Sequence, residues 1–111
     1  MRSLPDTTAV QDVNYNTAAS GGASVIVLAA DSAGYNVIDW VCWSYKTTPT
    51  DGAITITDST TNTVMWSIDV TSAGAGEFVF GDRGLRGVLG SEITITMADG
   101  TATKKLNVQS R

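Results

Sequence analysis

Apolar and polar positions along this chain fall into short runs, each closed by turn residues. Residues 24–30 (SVIVLAA) form an apolar run ended by Asp31-Ser32-Ala33-Gly34, too short for a helix and suited to a buried strand. Residues 35–45 (YNVIDWVCWSY) make a longer, aromatic segment. There Ile38, Trp40 and Cys42 alternate against Val37, Val41, Trp43 and Tyr45, so neither face is polar. Such a strand is covered on both sides or changes face at a bulge, and Asp39 marks the place for one. Residues 53–58 (AITITD) alternate strictly, with Ile54 and Ile56 on one face and Thr55 and Thr57 on the other. Residues 63–70 (TVMWSIDV) set Val64, Trp66, Ile68 and Val70 against Met65, Ser67 and Asp69. Phe78 and Phe80 flank Val79 in a short strand after a glycine-rich turn at residues 73–76. Residues 92–97 (EITITM) turn Ile93, Ile95 and Met97 inward, and Asp99-Gly100 then predicts a tight hairpin. In the last strand Ala102, Lys104, Leu106 and Val108 share the inner side, with Lys104 the misfit.

Two stretches depart from this rhythm. Residues 1–20 are polar, with Leu4, Val10, Val13 and Tyr15 thinly spaced and Ser20-Gly21-Gly22 closing the segment. They read as an N-terminal arm carrying at most one edge strand over residues 8–16. Residues 81–87 (GDRGLRG) read as a loop long enough to project, with Arg83, Leu85 and Arg86 among three glycines. Seven or eight strands at spacings of roughly 8–12 residues, with no helical period, predict an all-β fold. The expected architecture is an antiparallel, jelly-roll-like β-sandwich over residues 21–111, preceded by the extended arm.

Composition agrees. The 111 residues include 16 threonines and 11 glycines, the first favouring pleated surfaces and the second turns. One domain of this length buries enough surface to fold without a metal or disulfide. The net charge of −4, with only seven scattered basic residues, argues against nucleic-acid binding, which draws its affinity from phosphate contacts. No apolar run reaches the length of a membrane span. Residues 1–16 hold no apolar core segment, so synthesis in a cytoplasm without Sec-type export is expected.

Candidate chemistry is sparse. The chain has no histidine, which removes the common nucleophile–base pairs and the usual zinc sets. Most aspartates, among them Asp31, Asp51, Asp58, Asp82 and Asp99, sit in turns, where Asp serves local hydrogen bonds. No calcium-loop or phosphate-loop spacing is present. The single cysteine, Cys42, cannot form an intrachain disulfide and reads as a small buried hydrophobe. No catalytic residue, metal site or cofactor is therefore expected. Trp40, Trp43 and Trp66 admit two readings. Either they form a platform for sugar rings, or Trp40 and Trp66 belong to the core while Trp43 covers a sheet face or a subunit contact. Arg83 and Arg86 are either solvated loop charges or interface residues, since arginine is enriched at protein interfaces.

The strand opening GGASVIVLAA, the aromatic strand YNVIDWVCWSY, the strand AITITD and the late glycine-arginine loop resemble the small β-sandwich and jelly-roll virion proteins of tailed bacteriophages. Within that group they are most similar to the capsid decoration or cement proteins. The resemblance spans residues 22–108. It implies a structural, non-enzymatic protein of the virion surface that self-associates, commonly as a homotrimer, and binds the major capsid protein. It also implies an N-terminal arm that reaches a neighbour. Partner-binding residues are then expected at Leu4, Val10, Val13 and Tyr15 of the arm and at Arg83, Leu85 and Arg86 of the loop. The alternative is a glycan- or receptor-binding module of a phage fibre or spike, which requires exposed tryptophans.

Overall fold

The computed structural model describes residues 13–20, 22–30, 32–98 and 102–111. They build nine strands: β1 (Val13–Ser20), β2 (Ser24–Leu28), β3 (Val37–Tyr45), β4 (Ala53–Asp58), β5 (Thr63–Asp69), β6 (Gly74–Val79), β7 (Leu85–Arg86), β8 (Ile93–Met97) and β9 (Thr103–Ser110). Sheet I has the order β1-β9-β3-β6, with the two-residue β7 also paired to β3. Sheet II has the order β2-β8-β4-β5. Every described pairing is antiparallel. The chain passes repeatedly from one sheet to the other, so β4 and β5 are the one pair of consecutive strands that hydrogen-bond. Eight strands interleaved in this order, with β7 as a supplement, are the jelly-roll arrangement of two Greek keys.

The core lies between the sheets. Ile38, Val41, Leu106 and Val108 enter it from sheet I, and Ile54, Ile56, Ile93 and Ile95 from sheet II. Each such fully buried side chain contributes about 1.5–3 kcal/mol of transfer free energy. The two ITIT segments are neighbours: Ile56 stands opposite Ile95, Thr55 opposite Thr96 and Thr57 opposite Thr94. Their isoleucines face inward and their threonines outward, as the period-two pattern requires.

The expected bulge is present. Ile38 pairs with Ser110 but Trp40 pairs with Gln109, so Asp39 is the extra residue. The shift lets Ile38 share the buried side with Val41 and Tyr45. It also reverses the expectation for two tryptophans. Trp43 packs against the core, whereas Trp40 lies half-buried on the outer face, opposite Val79 and Gln109.

Other expectations need correction. Val64 is 59% exposed, because β5 carries its own bulge: Trp66 pairs with Ile56 but Val64 pairs with Thr57. Met65, the intervening residue, packs against the core instead. Gly74, Ala75 and Gly76 are not a turn but the first half of β6. The Asp-Gly signal does not join a hairpin, since β8 and β9 belong to different sheets. Among the described residues, strand structure at the N-terminus runs over Val13–Ser20, past the expected end at residue 16, and it pairs along its whole length with β9 as the edge of sheet I, while residues 8–12 of the expected span lie outside the described residues. Leu4 and Val10 lie outside the described residues.

Candidate functional site

Two surfaces concentrate the unusual features, one charged and one apolar. The charged one is a cleft of about 510 Å³ lined by Val37, Asp82, Arg83, Gly84, Arg86 and Arg111. It forms because residues 81–87 do not project from the fold. They turn back, and Leu85 and Arg86 pair with Ile38 and Val37 on β3. Gly84 permits this. Its φ is +69°, and a Cβ there would come within 2.7 Å of Val37 Cγ1 and 2.8 Å of the Ile38 carbonyl oxygen. Leu85 points inward and packs against the core, leaving Arg83 and Arg86 exposed. The Arg86 guanidinium lies 4.4 Å from the centre of the Tyr35 ring.

Arg111 completes the cleft, and no sequence signal marked it. Its Nε donates to Asp39 Oδ1 at 2.7 Å, its Nη2 donates to the Asp82 carbonyl at 2.8 Å, and its backbone amide donates to the Val37 carbonyl at 2.9 Å. The bulge that displaces Asp39 thus supplies the carboxylate that orients Arg111.

The apolar surface is the side of the sandwich where both sheets end, at β5 and β6. Trp66, Phe78 and Phe80 form a cluster with ring centroids 5.0–5.5 Å apart in tilted and edge-on arrangements. The cluster is only partly covered, with Phe78 42% exposed, and Val64 and Val79 on the same two strands are each 59% exposed. Of the six residues of β6, only Gly76 is more than slightly sheltered. Among the described strands, nothing pairs with the outer edge of β6.

The tryptophans do not make a sugar platform. Trp43 and Trp66 pack against the core from different sheets, Trp40 faces away from it, and none of the three is fully exposed. Cys42 is half-buried on the outer face of sheet I rather than in the core. Its thiol donates to Glu77 Oε2 at 3.8 Å. Burial pushes the thiol pKa up and the Glu77 carboxylate adds to the effect, so the group stays protonated and weakly nucleophilic.

Val13 and Tyr15 of the expected arm stand in β1, opposite Ser110 and Val108 of β9. Val13 is thereby placed at the same end of sheet I as Arg111, while Arg83 and Arg86 flank the cleft itself.

No protein-family model matches the chain, and no curated protein matches it. Among solved structures it is similar to the Bacillus endospore appendages that form a family of disulfide-linked pili. That match has 15% identity and a TM-score of 0.41, over 89% of this chain and 85% of that one. It is also similar to PirA, at 9% identity and a TM-score of 0.44, over 96% of this chain and 100% of that one. A third match is the virus-like particle of Macrobrachium rosenbergii extra small virus, at 12% identity and a TM-score of 0.31, over 99% and 85%.

Proposed function

We propose that this chain is a virion structural protein, a jelly-roll unit that associates with copies of itself and braces a bacteriophage capsid as a decoration or cement protein. The observation that carries the reading is the uncovered β5–β6 side. Sheet edges of soluble monomers are usually blunted by lysine, proline, a bulge or a covering segment. Among the described residues no lysine, proline, bulge or covering segment blunts the free edge of β6, whose one charged residue is Glu77, and the strand presents Phe78 and Val79 beside a partly exposed aromatic cluster. An apolar edge of this kind is a surface built to be covered, and a second copy of the chain covers it in this reading. In a homotrimer the edge meets a different surface of the next subunit, and the ring closes around a threefold axis. The major capsid protein is then met by the remaining surface, including the arginine cleft and residues 1–12 ahead of β1.

Sedimentation equilibrium tests the first half. The native chain should form a discrete oligomer, while Phe78→Ser with Val79→Ser should be monomeric with an unchanged β circular-dichroism spectrum. A native chain that stays monomeric at high concentration overturns the reading. Co-sedimentation with capsids tests the second half: removal of residues 1–12 should weaken binding and leave the fold intact.

A further inference from the structure

We propose that the cleft between Arg83, Arg86 and Arg111 is a binding site for a single carboxylate, contributed by a glutamate or aspartate side chain of a protein partner. The inference deepens the docking role above and rests on it only for where the carboxylate comes from.

Three of the chain's seven basic residues line this one cleft. Arg111 is neutralised by Asp39, but among the described residues neither Arg83 nor Arg86 has a carboxylate within ion-pair distance. The Arg86 guanidinium lies over Tyr35, 4.4 Å from the ring centre, and a contact with a ring face engages no acceptor atom, so its N–H donors stay available for a fork-like contact. Arg111 directs two of its donors to Asp39 and to the Asp82 carbonyl, which fixes the orientation of the rest.

The backbone that carries the donors is held in place before any ligand arrives. Asn36, next to Tyr35, donates from its amide to the Ala29 and Ser91 carbonyls at 3.0 Å each, and its own carbonyl accepts the Gly87 amide at 2.8 Å. The strand pairing of β7 and the left-handed Gly84 pin the other wall. Preorganisation of this kind lowers the cost of binding, because little backbone freedom remains to be lost.

Charge selects the ligand. Counted over side chains, three guanidinium groups against the carboxylates of Asp39 and Asp82 leave one net positive charge at the cleft. One carboxylate balances it. A phosphate dianion or a nucleic-acid backbone brings excess negative charge toward Asp82, in a protein already at −4. Val37 adds an apolar wall suited to the methylenes of a glutamate.

The test follows the arginine side-chain N–H resonances of the intact chain by NMR during three millimolar titrations. The probes are a blocked Gly-Gly-Glu-Gly-Gly peptide, its glutamine counterpart and inorganic phosphate. The glutamate peptide should shift Arg83 and Arg86 saturably, and the glutamine peptide should not. Arg83→Ala, in an exposed loop, should weaken binding about tenfold, as expected for loss of one charge-assisted hydrogen bond. Arg86→Lys, which keeps the charge and loses the fork, should weaken it as well. Absence of saturable shifts, equal response to both peptides, tighter binding of phosphate, or indifference to both substitutions would each overturn the proposal. Repeating the glutamate titration with Phe78→Ser separates it from self-association. Binding retained in a monomeric variant leaves the cleft standing whatever becomes of the β6 edge.

Discussion

Lys104 stands on the inner side of sheet I, opposite Tyr45, and is 1% exposed. Among the described residues, neither its amino group nor the Tyr45 hydroxyl has a hydrogen-bond partner. Burying a polar group without a partner is unfavourable, so this position opposes folding rather than supporting it. Lys104→Met keeps the length of the side chain and removes the amine. It should raise unfolding free energy by about 1–3 kcal/mol in urea denaturation; a loss of stability would mean the amine is satisfied in solution. Asp58 behaves oppositely. It is buried where β4 ends, and its Oδ1 accepts the Thr60 and Thr61 backbone amides at 3.1 Å each. The Thr61 amide holds its pKa below the ordinary carboxylate value, against the opposing effect of burial. A depressed folded-state pKa adds stability above the unfolded-state value, and that stability is lost as pH falls through the folded value. Thermal midpoints measured across the acid range should therefore drop less steeply for Asp58→Asn than for the native chain.

At the scale of the strand, β3 and β6 show how tightly an aromatic side chain sets its neighbours. Trp43 lies directly opposite Gly76, and a Cβ on Gly76 would sit 2.6 Å from the indole ring. Gly76→Ala forces the ring out of place and should cost about 1–3 kcal/mol, the usual range for overpacking, read as a lower denaturation midpoint with shifted tryptophan emission. This contact also explains why residues 73–76 suggest a turn from sequence. Their glycines mark a close approach rather than a reversal, and the distinction depends on a partner more than thirty residues away. Local alternation did reveal β4, β8 and β9, because a two-residue period states which side is buried, whereas β2 showed only as an apolar run, and its Val25 and Val27 face outward. It also exposed the bulge at Asp39, since the apolar set changes sides there. The bulge in β5 left no such trace, for Met65 and Trp66 are both apolar. β1 continues past Thr17 through Ala18-Ala19-Ser20, residues with little strand preference, and its strand structure there follows from pairing with β9. The glycine-arginine run drew attention to Arg83 and Arg86. Arg111 joined them only through the register of β9 on β3, which brings it 72 residues back along the chain to Asp39.

Across the whole molecule, the order of the strands decides how it must assemble. Only β4 and β5 can pair as a local hairpin; each remaining ladder joins strands well separated in sequence. Closure of long loops slows folding, so refolding should take milliseconds to seconds, as in other β-sandwiches, rather than microseconds. Stopped-flow tryptophan fluorescence measures this, and a microsecond phase carrying the full amplitude would contradict it. β9 is the last of the described strands yet lies in the interior of sheet I, hydrogen-bonded to β1 on one side and β3 on the other. A growing polypeptide therefore carries two strands with vacant edges until β9 has left the ribosome. During that interval the nascent chain offers other chains the same kind of edge that the finished protein keeps at β6. Synthesis on crowded polysomes, more than the stability of the completed sandwich, sets the hazard of misassembly for this topology.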